Sequence, residues 1–531
     1  MIFLKRRLFF SISILFAFCS ITVTRLFLIA FSSGEGLKNA AFSQQTSSVI
    51  YYTSRAVITD CNGAFLTDSE SSLLGVVSLP EYSGGVTFEE KYNDYFNSCA
   101  KNRTVAILPV LSAEKNARGV FSFKTLTRYS KNQLATHLIG SLNENGDGVS
   151  GLEYAFNSFF RKNEKKFTVS YLSNSLGYLI SGKTVSVSGD ATPSADRLIL
   201  TIDERFQKIA EEASKSIKSG AVIVTDVKTG EIKAMVSKPY YHPYEMGDAL
   251  ETEGALVNKC LNAFNAGSAF KLLTLCAFLE NGNSEFHYEC DGVCELDNLS
   301  IGCYRQKSHG ILDIPSALSA SCNGFFIMMG IKNGASSLFE NGKAFGFGEK
   351  TPLAENFYSS AGYFPTLEEL KKDYELANVS MGQGKLLVTP VQIASLTQTI
   401  ANGGIKKPLS VVLGKTENGV FTEDSVHAAP ESRIISEKTA AYVANCMREV
   451  SLNGTGKKAN PSCGSGTKTS TAETGILNEN GKNVIQSWIT GFFPSEAPAY
   501  TVTVLVENTD PAVTNTSPVF KEIAEKISAL S

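Results

Sequence analysis

The chain offers little net charge to a partner. Its 49 Lys and Arg nearly balance 52 Asp and Glu, leaving −3 at pH 7. The basic residues form no stripe, so nucleic acid is not an expected partner. Internal repeats and long low-complexity tracts are also missing, which argues against a solenoid or a largely disordered chain. The 11 cysteines are odd in number and follow no repeating spacing, which excludes a disulfide framework of the small secreted type. What is there is foldable: 531 residues, 43% hydrophobic and 19% charged, give room for two or three domains with sizeable cores.

One stretch near the N-terminus lacks charge altogether. Lys5-Arg6-Arg7 precede Leu8 to Thr24, and apolar residues resume after Arg25 as far as Phe31. A helix from Leu8 to Phe31 would span roughly 36 Å, enough to cross a bilayer with Arg25 snorkelling to one surface. The basic cluster predicts a cytoplasmic tail at residues 1–7, a membrane anchor at 8–31 and everything beyond about residue 32 outside. A cleaved signal peptide is the competing reading, but no clear small-x-small site follows a short apolar core.

Residues 32–192 alternate short β-rich runs with turns. Arg55 to Asp60 runs into Cys61-Asn62-Gly63, which reads as a hairpin turn; Gly146-Asp147-Gly148 and Ser150-Gly151 are further connections. This predicts a strand-rich module without a catalytic constellation, serving as a spacer or docking surface. Residues 193–531 read differently. An amphipathic helix with Phe206, Ile209, Ala210, Ala213 and Ile217 on one face leads into a hairpin around Val227-Lys228-Thr229. A second hairpin, Ser487 to Phe493 with Ala499 to Val506, precedes a helix carrying Phe520, Ile523, Ile527 and Leu530 inward. The expected fold class is α/β of the α+β kind: an antiparallel sheet with helices on both faces.

Three polar clusters interrupt this second domain. In Ala266-Gly267-Ser268-Ala269-Phe270-Lys271, Ser268 opens a helix that is apolar on every side, so the helix should be buried. Lys271 lies one turn on. Burial disfavours its charged form, which would let it accept a proton from a neighbouring hydroxyl. Ser-x-x-Lys alone is weak, and Ser465 to Lys468 fits it as well. The second cluster, Ser321-Cys322-Asn323, could relay a proton and hold an amide; taken alone, a helix N-cap explains it better. In Thr467-Lys468-Thr469-Ser470-Thr471, an edge strand would aim Lys468 and Ser470 to one face and Thr469 and Thr471 to the other. Lys468 could match a bound carboxylate, or be a solvated edge lysine.

Taken in order, Ser-x-x-Lys, Ser-x-Asn and Lys-Thr-x form the set of penicillin-binding proteins and serine β-lactamases. The chain resembles a monofunctional (class B) penicillin-binding protein of the division or sporulation type. The likeness extends to Arg55–Gly63, to His137-Leu138-Ile139-Gly140, to Gly151-Leu152-Glu153, to Leu200-Thr201-Ile202-Asp203 and to Ser380-Met381-Gly382-Gln383-Gly384. It implies a strand-rich pedestal at 32–192 and a transpeptidase domain at 193–531. It implies Ser268 as nucleophile on a peptidoglycan stem peptide, Lys271 as base, Ser321 and Asn323 as proton relay and peptide contact, and Lys468 as carboxylate holder. Thr469, Ser470 and Thr471 would line the substrate, with the N–H groups of Ser268 and Thr471 as oxyanion hole. β-Lactams would acylate the same serine, no cofactor is needed, and a SEDS-family glycan-strand polymerase is the implied membrane partner.

Departures from the family pattern are Ser470 for glycine, Ala266-Gly267 for Pro-Gly, and Cys61 for arginine. Ser470 is expected to intrude on the substrate, which keeps an impaired scaffold open as an alternative beside a serine β-lactamase or D,D-carboxypeptidase. Oxidation of Cys322 is expected to disturb the cleft. Cys290, Cys294, Cys303 and His309 would suit zinc by residue type, but their spacing is not the usual paired knuckle. A Cys290–Cys303 disulfide and unpaired thiols in an exposed loop are the other readings, and no metal site is expected.

Overall fold

Ile2–Phe31 form one unbroken helix of 30 residues, with no residue buried against the protein. It is long and apolar enough to cross a membrane. It starts before Leu8 because Lys5, Arg6 and Arg7 are good helix formers and nothing near them breaks the ladder. The computed structural model describes residues 2–530 except 32–33, 80, 103, 115–116, 175–179, 181–184, 190–191, 297–298, 304–305, 478–482 and 510–515.

The chain forms two units: Met1–Ser54, Glu70–Thr127 and Glu164–Thr192 in one, and Arg55–Ser69, Arg128–Asn163 and Pro193–Ser531 in the other. The first is strand-rich. Glu70–Ser78 lies between Val105–Val110 and Val120–Thr127, and Thr46–Ser54 pairs with Lys165–Leu172, all antiparallel. Leu74, Val76, Phe167 and Val169 are buried together there.

The block expected at 32–192 is therefore divided, because residues 55–69 and 128–163 fold with the second unit. Two forces hold them. Val57–Thr59 adds as a parallel strand to Arg197–Leu200, which also pairs with Val412–Glu417. A buried ion network ties the rest: Glu153 accepts from Arg55 at 3.2 Å and from Arg128 at 2.7 Å, and Arg128 reaches Asp68 at 2.6 Å. Charges this deep are tolerable only when paired in this way.

The second unit is built on a five-stranded antiparallel sheet. Its order is Ile232–Lys238, Gly220–Asp226, Tyr500–Thr509, Asn483–Phe493 and Gly466–Leu477. Alternation along the strands feeds two cores. Val222, Val224, Ile489 and Val504 meet the helices Glu204–Ala213 and Thr516–Ser528 through Phe206, Ala210, Phe520 and Ile523. Ala221, Ile223, Trp488 and Leu505 belong to the larger core, which includes the helices Lys271–Glu280, Pro390–Ala401 and Glu437–Asn453. Each large side chain buried here contributes about 1.5–3 kcal/mol. Trp488, the only tryptophan, also has a positioning task. Its Nε1 donates to the Asn265 carbonyl at 2.9 Å, and Gln486 Oε1 accepts from Asn265 N at 2.8 Å. The sheet thus grips the chain three residues before Ser268.

Candidate active site

Ser268 sits half-buried in a 3₁₀ turn, Gly267–Phe270, that continues into the helix Lys271–Glu280. Lys271 through Phe278 are all buried, as an all-apolar helix demands. The turn is held from two sides. Gly267 has φ +52° and donates its N–H to the Gly382 carbonyl at 2.8 Å. A Cβ on Gly267 would lie 2.4 Å from Ser470 Oγ and 2.9 Å from the Ala472 Cβ, so only glycine fits.

Ser321 lies at the sharp join between the helices Ile314–Ala320 and Asn323–Asn333. It adopts left-handed φ +55°, and Cys322 caps the second helix. A non-glycine residue in that region stores about 1–2 kcal/mol of strain, which marks the join as a place where geometry is imposed. Two amines converge on it. Lys271 Nζ donates to the Ser321 carbonyl at 2.8 Å and to Asn323 Oδ1 at 2.7 Å, with Ser321 Oγ 3.5 Å away. Lys468 Nζ, from the edge strand Gly466–Leu477, donates to Ser321 Oγ at 2.8 Å and to the Thr469 carbonyl at 2.6 Å.

Burial pulls the Lys271 amine down to about 8, against weaker opposition from Cys322 and Cys303. Lys468 is also pulled well below the ordinary lysine range, by burial first and by Lys271 second. Among the described residues the Ser268 hydroxyl has no hydrogen-bond partner, and the Lys271 amine is engaged by Ser321 and Asn323.

Three expectations are corrected here. Ser470 does not stand out from the strand: it is buried, and its hydroxyl donates to the Ala266 carbonyl at 2.9 Å. The strand places it on the inner face with Lys468, while Thr469 is half-buried and Thr471 exposed. Lys468 is not an open carboxylate holder, since its side chain is fully buried beneath Ser321. The Cys290–Cys303 disulfide is not formed, and Cys290, Cys294 and Cys303 are buried rather than exposed. Cys294 lies apart with Ile327, Ala377 and Met381; Cys322 takes its place beside Cys290, Cys303 and His309.

Sequence reasoning missed several supports. Gly382 has φ +86°, and a Cβ there would lie 1.8 Å from the Gly267 carbonyl oxygen. The glycine pair in Ser380-Met381-Gly382-Gln383-Gly384 was the available signal. Thr455 accepts from Thr469 Oγ1 at 2.6 Å, and the Phe326 ring lies 5.5 Å from Lys271 Nζ. Neither has a local signature.

A family model described as the penicillin binding protein transpeptidase domain matches residues 220–529. The chain belongs to that family. Ser268, Lys271, Ser321, Asn323 and Lys468 all fall inside the matched stretch. Among relatives of this penicillin-binding chain, Stage V sporulation protein D of Bacillus subtilis is 26% identical over 527 residues, spanning 91% of this chain and 79% of the relative. The peptidoglycan D,D-transpeptidase FtsI of Escherichia coli K12 is 26% identical over 399 residues, spanning 72% of this chain and 62% of its own. Two solved structures share the fold. A D,D-transpeptidase domain from Eggerthella lenta has a TM-score of 0.64 at 21% identity, covering 90% of this chain and 98% of that one. Penicillin binding protein 3 from Mycobacterium tuberculosis, complexed with aztreonam, has a TM-score of 0.63 at 20% identity, covering 89% and 94%. The α+β transpeptidase fold, with an apolar N-terminal helix and a strand-rich unit, is that of penicillin-binding proteins.

Proposed function

We propose that the chain is a membrane-anchored peptidoglycan D,D-transpeptidase that works through a Ser268 acyl-enzyme and is inhibited by β-lactams. The observation that carries this is the meeting of two buried amines, Lys271 and Lys468, on Ser321 beside the turn that presents Ser268. An amine pulled down to about 8 by burial is neutral in part near neutral pH and mostly so above about 8, so it can act as a base, and a hydroxyl touching both amines is a proton conduit. In the acylation step, Ser268 Oγ attacks the carbonyl of the penultimate D-Ala of a stem peptide. Its proton passes to Lys271. As the C–N bond breaks, a proton reaches the departing D-Ala amine through Ser321. An amine of a second stem peptide then attacks the acyl carbon, gives its proton back along the same path and restores Ser268.

Asn323 holds Lys271 at one side and takes the substrate amide as the lysine moves to Ser268. Lys468, enclosed beneath Ser321, sets the acidity of that hydroxyl. The terminal carboxylate falls to Thr469 and Thr471, the two members of the strand that face away from Lys468. Ser268 and Thr471 supply the oxyanion N–H groups, each worth about 2.7–4 kcal/mol in transition-state stabilisation.

The apolar helix anchors the protein with residues 1–7 in the cytoplasm and the catalytic unit outside, where its substrate lies. A SEDS-family polymerase is the partner in the membrane. The scaffold alternative rested on Ser470, and that residue's inward hydroxyl withdraws its support. Labelling with fluorescent penicillin tests the reading. Wild type should give a denaturation-stable band and Ser268→Ala none, with both melting at the same temperature. An equal band in the variant would refute the nucleophile, and rapid turnover instead of a lasting adduct would point to a β-lactamase. Protease treatment of intact protoplasts, which should remove the catalytic unit, tests the orientation.

A further inference from the structure

Beside the Ser321 turn lies a cluster that the mechanism does not use. Cys290, Cys303, His309 and Cys322 each present a ligand atom, and these four atoms all lie within 4.8 Å of one another. Cys303 Sγ is 3.7 Å from both Cys290 Sγ and Cys322 Sγ, and His309 Nδ1 is 3.4 Å from Cys290 Sγ. A tetrahedral metal with bonds of about 2.3 Å to sulfur and about 2.0–2.1 Å to nitrogen has edges of about 3.8 Å between sulfurs and about 3.5 Å from sulfur to nitrogen. The three shortest spacings match three of that tetrahedron's six edges, and the other three stay within 4.8 Å. We propose that Cys290, Cys303, His309 and Cys322 bind one zinc ion, which braces the Ser321–Asn323 turn of the active site.

The ligand chemistry selects the metal. Three thiolates and one imidazole form a soft, four-coordinate set suited to zinc, and hard oxygen-seeking ions such as magnesium or calcium have no carboxylate here. Four protein ligands leave no open position, so the role is structural. The surroundings are those of ligands held in place. His309 N donates to the Cys290 carbonyl at 3.0 Å, Ser308 Oγ to the same oxygen at 2.8 Å, and Phe325 N to Cys322 Sγ at 3.5 Å. Such outer contacts orient ligands and tune thiolates.

The coupling to the active site is covalent. Cys322 is the residue between Ser321 and Asn323, and Asn323 Nδ2 also donates to the Gly302 carbonyl, next to Cys303, at 3.0 Å. A metal joining Cys322 to the 290–309 loop would lock the left-handed turn and keep three neighbouring thiols from oxidising.

The test uses full-length protein in detergent, isolated without chelator and without oxygen. Elemental analysis and native mass spectrometry should find about one zinc per chain. Cobalt added to chelator-stripped protein should give the intense visible bands of a tetrahedral site with three thiolates. Cys303→Ser and His309→Ala should lose the metal, whereas Cys294→Ser should keep it. Stripping should slow penicillin labelling by about tenfold, the usual effect of disturbing a metal's surroundings, and added zinc should restore it. Absence of zinc from fresh wild type, full zinc retention in both ligand variants, or a disulfide among these cysteines in fresh protein would overturn the site. Bound zinc whose removal leaves labelling unchanged would overturn the bracing. The bracing readout rests on the enzymatic reading above, but the metal count does not. One zinc per chain with no Ser268-dependent labelling in any form would sink that reading and leave the site standing.

Discussion

Ser470 is the position where structure and family pattern pull in opposite directions, and replacing it separates them. If the hydroxyl obstructed the cleft, Ser470→Gly would restore the family's glycine and speed acylation. The structure says otherwise. Ser470 Oγ donates to the carbonyl of Ala266, two residues before the nucleophile, at 2.9 Å, and the side chain is 6% exposed. Ala266 stands where the family has proline, so the chain there lacks a ring to stiffen it. The Ser470 hydroxyl supplies the constraint instead. Losing that bond costs about 1 kcal/mol net, or about 1–3 if the carbonyl is left unsatisfied. Glycine in a strand adds about 0.5–1 kcal/mol. Ser470→Gly should therefore destabilise the second unit by about 1.5–4 kcal/mol and lower its melting temperature by about 2–5 °C. If about half of the lost bond is felt at the nucleophile, acylation slows by about two- to tenfold. Ser470→Ala, which keeps the Cβ, should show the hydrogen-bond part alone. Melting curves and the rate of fluorescent penicillin labelling measure both. A Ser470→Gly protein that labels faster than wild type and melts at the same temperature would refute the reasoning.

Gly267→Ala should abolish labelling, because φ +52° and a Cβ 2.4 Å from Ser470 Oγ combine left-handed strain of about 1–2 kcal/mol with overpacking of about 1–3; normal labelling would show the turn to be plastic. Glu153→Gln should cost about 3–5 kcal/mol in denaturant unfolding, since it leaves Arg55 and part of Arg128 buried without their shared carboxylate; a loss under about 1 kcal/mol would mean the network is wetter than it looks. Acylation at low penicillin concentration should rise with pH and level off above about 8, where the buried Lys271 amine, pulled down to about 8, becomes neutral and able to accept the Ser268 proton. A rate that falls over that interval would assign the base elsewhere.

The three stretches of the candidate site were legible because each is a local polar break in apolar surroundings, and the helix after Ser268 announced its own burial. The sheet could be read as well, since the unbroken apolar run Ala221-Val222-Ile223-Val224 marks a strand covered on both faces. What could not be read depends on pairing across long separations. Lys468 and Ser321 are 147 positions apart, and nothing near either tells which amine will lie beneath that hydroxyl. Strand alternation correctly put Ser470 beside Lys468, but only the packed turn at Ala266 and Gly267 shows that this side is the interior. The division at residues 55–69 and 128–163 escaped for the same reason. A three-residue strand, Val57–Thr59, and four buried charges decide it, and each finds its partner far along the chain.

The cysteine cluster failed for a more particular reason. Spacing rules assume that ligands arrive in close pairs, which favours Cys290 with Cys294. Yet Gly292, at φ +106°, turns the chain between them, and the strand Val293–Leu296 carries Cys294 to a separate apolar cluster. The fourth ligand position went to Cys322, a residue read as the oxidation-sensitive middle of Ser-x-Asn and not as a metal ligand. That double placement ties the two sites mechanically. Ser321 and Asn323 are both held by Lys271, through a backbone carbonyl and a side-chain oxygen, so any rotation about Cys322 moves both contacts of the base together. A metal at Cys322 and an amine at Lys271 therefore grip the same three residues, and release of either should be felt in the acylation rate.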